Sequence, residues 1–271
     1  HGGPPVRLLF AEAASRGRPF KEAAMAKIKG VVLAGGLGTR LKPLTEITNK
    51  HLLPVYDRPM IFHPLEKMAE AGIEEVMLVT GGNNAGDFLR LLGDGRKFGI
   101  KRLQYTYQKG EGGIAEALGL AEEFAEGQRI MVFLGDNIVL DSLKPFTQQF
   151  MKQPQGGMIL LKEVANLRSY GVPQFKGKKI EKIIEKPENP PSPYAVIGIY
   201  FYDPSVFKII KTLKPSKRNE LEITDVNNAY LRRGVMSYGV LQNHWADAGE
   251  SIDSWFQANL LAREVLSKKK V

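Results

Sequence analysis

An α/β fold is predicted by three observations. Through the first half of the chain, short apolar runs of strand length alternate with helical patterns. Several of those runs, Ile130–Leu134 above all, are apolar throughout, as in strands buried on both faces. After about residue 150, strands follow one another with few helices between them. A repeating strand–helix rhythm implies a parallel sheet with helices on its faces. The expected architecture is a mixed, mostly parallel central sheet flanked by helices, doubly wound at first and β-rich later. No linker separates the two parts, so residues 25–271 are expected to form one unit.

The elements follow in order. Residues 1–24 carry glycine, proline and arginine without a sustained period, and their apolar patch is too short for a secretory core. They read as an extension outside the fold, or as an arm packed on a neighbouring subunit, with Met25 as the native start. Ile28–Leu33 is the first strand. Pro59–Gly72 reads as a helix, with proline in its first turn and glycine at its C-terminal cap. Val76–Val79 is a strand, Asp87–Leu92 a short helix, Leu103–Tyr107 a strand, Ile114–Phe124 a helix and Ile130–Leu134 a fully apolar strand. This first part is Rossmann-like. The β-rich part holds strands at Gly157–Lys162, Val172–Lys176, Lys179–Glu185, Ala195–Tyr202 and Val235–Val240. Helices are expected at Ser205–Leu213, at Ile223–Arg233 and, behind a serine cap, at Ser251–Lys269.

Bulk properties exclude whole classes. The 271 residues are 43% hydrophobic and 25% charged, a globular balance. Nothing approaches the roughly 18 continuous apolar residues of a membrane span. Cysteine is absent, which removes disulfides, thiol catalysis and cysteine-based zinc sites and fits a reducing cytoplasm. The formal charge is +9, but the basic residues are spread and interleaved with acids, without a basic stripe carrying aromatics. Nucleic acid is therefore not the expected partner; anionic small substrates suit the charge better.

The chemistry begins where the first strand breaks. Leu33 leads into Gly35-Gly36-Leu37-Gly38, followed by Thr39 and Arg40, with Lys50 ten residues further on. Glycines let backbone N–H groups close around a phosphate. Arg40 offers a planar fork and Lys50 a mobile point charge. The stretch is neither a Walker A loop nor the dinucleotide fingerprint, whose third glycine position is Leu41 here.

Ligands of open α/β sheets bind beyond the carboxyl ends of the strands. Gly135-Asp136-Asn137 ends the Ile130–Leu134 strand, so Asp136 is expected in the same crevice, as a hard oxygen ligand for Mg²⁺ on substrate phosphates. Asp247 is a second candidate ligand, or a turn residue. Gln108 and Gly113 lie between a strand and a helix, where an amide donor and acceptor can meet a pyrimidine edge, or where a polar loop simply starts a helix. Tyr170, Gly171, Glu185, Lys186 and Gly198 form a third set, able together to hold sugar hydroxyls and a sugar phosphate. Glu220, Glu222 and Asp225 sit near a helix start, where acids also serve capping. The four histidines have no metal-ligand spacing; His51, His63 and His244 read as structural.

Taken together, these residues resemble the sugar-phosphate nucleotidyltransferases, in particular those that transfer a thymidylyl group. The resemblance runs from Lys27 to about Leu261. It rests on the Leu33–Leu41 loop with Pro43 and Thr45, on Lys50 with Leu53-Pro54-Val55, and on Leu91–Gly95, Gly135–Asn137, Tyr170–Val172, Glu185–Pro187 and Glu220–Asn227. It implies condensation of dTTP with α-D-glucose 1-phosphate to dTDP-glucose and pyrophosphate, by in-line attack on the α-phosphorus. By the same resemblance Arg40 and Lys50 would stabilise the transferred group, and Asp136 and Asp247 would hold Mg²⁺. Leu33, Gly35, Gly36, Gly38, Thr39, Gln108 and Gly113 would bind the nucleotide. Tyr170, Gly171, Glu185, Lys186 and Gly198 would bind the sugar phosphate. A cytoplasmic homo-oligomer, dimer or tetramer, is implied, with no membrane partner. The alternatives are the same chemistry with UTP, and a nucleotide-sugar sensor without catalysis.

Overall fold

The structure, a computed structural model, describes residues 27–82 and 84–268. The extension expected over residues 1–24, the start at Met25, and Lys269 at the end of the final helix lie outside the described residues. The strands are β1 (Ile28–Ala34), β2 (Pro54–Val55), β3 (Arg58–Pro59), β4 (Glu75–Gly81), β5 (Arg102–Gln108), β6 (Arg129–Leu134), β7 (Asn137–Val139), β8 (Gly157–Glu163), β9 (Gly171–Lys176), β10 (Lys179–Glu185), β11 (Tyr194–Tyr202), β12 (Met236–Val240) and β13 (Trp245–Asp247). The helices are α1 (Phe62–Glu70), α2 (Ala85–Leu92), α3 (Ile114–Gly119), α4 (Glu122–Ala125), α5 (Lys144–Met151), α6 (Ser205–Ile210), α7 (Ile223–Arg232) and α8 (Ile252–Lys268).

One nine-stranded sheet runs through both halves in the order β10-β9-β11-β6-β1-β4-β5, with β8 paired to β11 and β12 to β8. The central strands β6, β1, β4 and β5 are parallel, as the continuous apolar runs of β1, β4 and β6 predict; β5, Arg102–Gln108, carries polar residues and is only partly buried. Along β1, Val31 and Leu33 face one core cluster while Val32 and Ala34 face the other. Residue period two with both faces buried is the signature of a strand between two helical layers. Each fully buried Val, Leu, Ile or Phe contributes about 1.5–3 kcal/mol. Beyond β6 the sheet turns antiparallel through β11, β8, β9 and β10.

This order reverses at β1. The chain runs from β1 to β4 and β5 on one side, then returns to β6 on the other. The crevice between the carboxyl ends of β1 and β6 is thus the topological switch point. Leu33 is in register with Leu134, and the Gly135 N–H donates to the Leu33 carbonyl at 2.9 Å. Both loops therefore leave the sheet at one level.

Four local expectations change. The helix expected from Pro59 begins at Phe62, because Pro59 pairs with Pro54 and the N–H groups of Met60 and Ile61 bond back to Leu53 and His51. The helix expected over Ile114–Phe124 breaks after Gly119, a weak helix former, and resumes at Glu122. Helix α5, with proline in its first turn, adds to the expected elements. So does the ribbon of β7 with β13, which pairs Asn137 with Asp247. The serine cap at Ser251 is present and reciprocal: the Ser254 N–H donates to Ser251 Oγ at 3.0 Å and the Ser251 N–H to Ser254 Oγ at 2.9 Å.

Candidate active site

The glycine loop leaves β1 and passes through Gly38 at φ +69° into a single 3₁₀ turn, Thr39–Leu41. The stem of Lys50 crosses it closely: a Cβ on Gly38 would lie 2.9 Å from Lys50 Cβ. Only glycine meets both demands at this position. Lys50 is itself placed by a 3₁₀ turn whose N-terminal cap is Asn49. Its Nζ donates to Asp136 Oδ2 at 2.5 Å, with the two side chains 9% and 14% exposed. Arg40 is exposed, lines the cavity and has no ion-pair partner among the described residues.

Asn137 ties the carboxylate end together. Its Nδ2 donates to Asp136 Oδ1 at 3.1 Å, and its Oδ1 accepts from the Gly198 N–H at 3.1 Å and from Trp245 Nε1 at 2.8 Å. The β7–β13 register then sets Asp247 beside Asn137. Burial raises the pKa of Asp136, but the Lys50 charge and the hydrogen bonds from Lys50 and Asn137 outweigh it and hold the group well below the carboxylate range. Asp247 goes the other way: burial and the Asp136 charge push it up to about 7, against a hydrogen bond from the Gly249 N–H at 2.8 Å. Two neighbouring carboxylates in one dry place do not both ionise easily, and Lys50 awards the charge to Asp136. Below them His51 is buried and held neutral, lowered to about 3 by burial and by Lys50.

At one end of the cavity Gln108 lies beneath Gly35 and donates from Nε2 to Gly113 O at 3.2 Å and to Glu116 Oε2 at 2.6 Å. Gly113 takes φ +95°, and a Cβ there would meet the Leu221 carbonyl at 2.6 Å. The loop around Gly113 is clasped to that segment by the Leu221 N–H on Gly112 O at 2.8 Å and the Ala115 N–H on Leu221 O at 3.1 Å. At the other end, Glu185 Oε2 accepts from Thr224 Oγ1 at 2.5 Å. Arg218 gathers acids, with Glu222 at 2.8 Å, Glu220 at 3.4 Å and Glu185 at 3.6 Å. Lys186 is exposed, at φ +44°, without an ion-pair partner among the described residues; its N–H donates to the Tyr170 carbonyl at 2.9 Å.

One cavity of about 340 Å³ gathers Arg40, Lys50, Gln108, Asp136, Glu185 and Asp247 on its walls. Every site residue expected from the sequence lines it except Gly38 and Thr39, which form the turn beneath. Sequence reasoning missed His51, Asn137, Tyr200, Arg218 and Thr224, which also line it. Arg218 carried a usable signal, its place beside the acids Glu220 and Glu222 just before a helix start. Asn137 carried one too, as the last residue of the Gly135-Asp136-Asn137 turn; Tyr200 carried none, since only the sheet order brings it to the crevice. His51, expected as structural, is buried and also part of the wall. Among the described residues no group of three or more His, Asp or Glu is gathered to hold a metal. Asp136 and Asp247 are the paired hard donors at the phosphate-loop end, and a Mg²⁺ ion carried on phosphates needs one or two such carboxylates.

The model of the family described as nucleotidyl transferase matches residues 29–264. A glucose-1-phosphate thymidylyltransferase of Actinoplanes sp. is 43% identical over 230 residues, covering 83% of this chain and 75% of its own. One from Neisseria meningitidis serogroup A is 42% identical over 228 residues, covering 82% and 78%. A crystal structure from Bacillus anthracis, assigned as a glucose-1-phosphate thymidylyltransferase in complex with a sucrose, superimposes with a TM-score of 0.83 at 48% identity, covering 87% of this chain and 95% of that one. A UDP-glucose pyrophosphorylase complexed with UDP-glucose superimposes with a TM-score of 0.77 at 27% identity, covering 88% and 99%.

Proposed function

The chain belongs to the nucleotidyl transferase family, and from that premise we propose that it is an enzyme that condenses dTTP with α-D-glucose 1-phosphate to give dTDP-glucose and pyrophosphate. The observation that carries this is the meeting, at the β1/β6 switch point, of the glycine loop, Arg40, Lys50 and the Asp136–Asp247 pair in one cavity. Relatives at 40–43% identity bear the same activity in their names.

The reaction needs no covalent enzyme intermediate. A phosphate oxygen of the sugar phosphate attacks the nucleotide α-phosphorus in line, and pyrophosphate leaves with the bonding pair. The protein's contribution is positioning and charge stabilisation. Arg40, free of any carboxylate, is available to the triphosphate. Lys50 stands at the loop mouth, fixed by the glycines beneath its stem. Gln108 and Gly113 face the base end, and Glu185, Lys186 and Gly198 the sugar end. Asp136 and Asp247 would hold Mg²⁺, which when bound neutralises charge on the phosphate oxygens.

The test is a pyrophosphate-release assay with dTTP or UTP, each with glucose 1-phosphate and Mg²⁺. A kcat/KM higher for dTTP supports the assignment. A higher value for UTP, which carries the same base as the fold relative's UDP-glucose, overturns it. No release with any sugar phosphate would instead favour a sensor.

We further infer that residues 27–268 fold as one unit, supported by the continuous sheet, and that the protein assembles with a second copy through α8. Ile252, Phe256 and Leu260 form a stripe on this helix, 39%, 54% and 42% exposed. Antiparallel pairing of two α8 helices about the level of Ala258 sets Asp253 opposite the second copy's Arg263, and neither has an ion-pair partner among the described residues. Light scattering should show an oligomer that Phe256→Asp dissociates; a monomeric wild type overturns this. Among the described residues no helix is long and apolar enough to cross a membrane, and the absence of cysteine supports a cytoplasmic location.

A further inference from the structure

Gln108 is held by a carboxylate on the side away from the cavity. Its Nε2 lies 2.6 Å from Glu116 Oε2 and 3.2 Å from the Gly113 carbonyl. Both partners accept hydrogen bonds, so both amide hydrogens are committed to the protein. Rotating the amide by half a turn would set its oxygen against the Glu116 carboxylate, acceptor against acceptor. The orientation is therefore fixed by chemistry. What remains for a ligand is Oε1, which receives no hydrogen bond from any described residue and lies so close to the glycine loop that a Cβ on Gly35 would be 2.8 Å away. Glu116 is equally constrained: a Cβ on Gly112 would fall 2.2 Å from its Oε2, so that glycine backbone closes over the carboxylate.

We propose that Glu116 is a positioning residue for base selection: it makes Gln108 an acceptor only, so the site takes nucleotides whose base presents a ring N–H on its pairing edge. This rests on the nucleotidyl-transfer reading above. Thymine and uracil present N3–H and satisfy Oε1. Guanine, with N1–H, satisfies the same rule by hydrogen-bond sense. Cytosine and adenine present a bare ring nitrogen, which meets Oε1 as acceptor against acceptor. A buried amide left facing a like group discriminates strongly, because neither partner finds a substitute in water. Without Glu116 the amide keeps only the longer, 3.2 Å bond to the Gly113 carbonyl, so it turns more easily and serves either kind of base. An acid in the first turn of α3 also suits the helix end, so the test must read selectivity and not stability alone.

The experiment compares kcat/KM for dTTP and dCTP in wild type, Glu116→Leu and Glu116→Gln, with glucose 1-phosphate in excess. Glu116→Leu should lower the dTTP:dCTP ratio about tenfold or more, through a higher KM for dTTP and a lower KM for dCTP. Glu116→Gln, whose side-chain carbonyl still accepts from Gln108, should recover part of the ratio. In a Gln108→Ala background Glu116→Leu should leave the ratio unchanged. A wild-type ratio in Glu116→Leu overturns the proposal, as does an equal fall in the Gln108→Ala background. Calorimetric binding of dTDP and dCDP repeats the comparison without turnover. Protein that prefers dTDP, loses the preference in Glu116→Leu and releases no pyrophosphate overturns the thymidylyl-transfer reading and upholds this one.

Discussion

The ammonium of Lys50 stands 2.5 Å from the carboxylate of Asp136, joining residues 86 positions apart across the switch point of the sheet. This pair joins the loop that follows β1 to the carboxylate that follows β6. It also decides where charge resides, since Asp136 stays ionised and Asp247 does not easily follow.

Asp136→Asn keeps the size of the side chain and removes its charge. Turnover should fall by about 10²–10³-fold, the order of magnitude for losing one charge-stabilising group. Circular dichroism should show an unchanged fold. Turnover within threefold of wild type would remove Asp136 from its assigned role.

Arg40 separates function from stability. It is exposed and has no ion-pair partner among the described residues, so Arg40→Ala should change stability by only about 0.5 kcal/mol or less. Turnover should fall by about 10²–10³-fold, and Arg40→Lys should recover only part of it, because a point charge replaces the fork. Thermal melts and pyrophosphate release measure the two effects independently.

Gly249 packs its backbone onto the ion pair. A Cβ there would fall 2.2 Å from Asp136 Oδ2 and 2.7 Å from Lys50 Nζ. Asp136 is held by Asn137 and has little room to retreat. Gly249→Ala should therefore part the pair and lower turnover about tenfold or more, with a thermal midpoint within a few degrees of wild type. An active Gly249→Ala would show that the pair is not needed in this geometry.

His63 should make the fold sensitive to mild acid. Burial, outweighing a hydrogen bond to the Val55 carbonyl, lowers its pKa from 6.5 to about 4. The unfolded chain therefore binds the proton first, and stability contributed by the neutral ring is full above pH 6.5 and lost as pH falls toward 4. Between pH 6.5 and 5 the loss is about 1.5 kcal/mol. Asp247, raised to about 7, acts in the opposite sense over this range, so wild type must be compared with His63→Gln. Urea unfolding should show wild type losing about 2 kcal/mol more than the variant between pH 7.5 and 5. Parallel losses would mean that the ring is charged in the folded state.

The central sheet was legible because strands buried on both faces have no polar residues to break their runs: Val31 through Ala34 and Ile130 through Phe133 announce themselves. The glycine loop was legible because its turn and close approaches restrict residue type at Gly38. Asp247 was not resolved by its spacing, which suits a turn as well as a ligand. Its place depends on the three-residue pairing of β13 with β7, too short to mark itself in a sequence. The start of α1 was misplaced because Pro59 suits a first helical turn and a short ribbon equally, and the bonds from Met60 and Ile61 that decide between them are nonlocal. Glu116 was hidden for a similar reason: an acid in a first helical turn is ordinary, and only the position of Gln108 gives it a second task.

The ribbon between Asn137–Val139 and Trp245–Asp247 has a consequence for the birth of the enzyme. One acid of the pair is translated midway through the chain and the other near its end. The two strands of this ribbon are made far apart in time, so Asp247 cannot take its place beside Asn137 until the last segment has been synthesised. On the proposed roles, a product of premature termination upstream of Trp245 would lack one member of the acid pair.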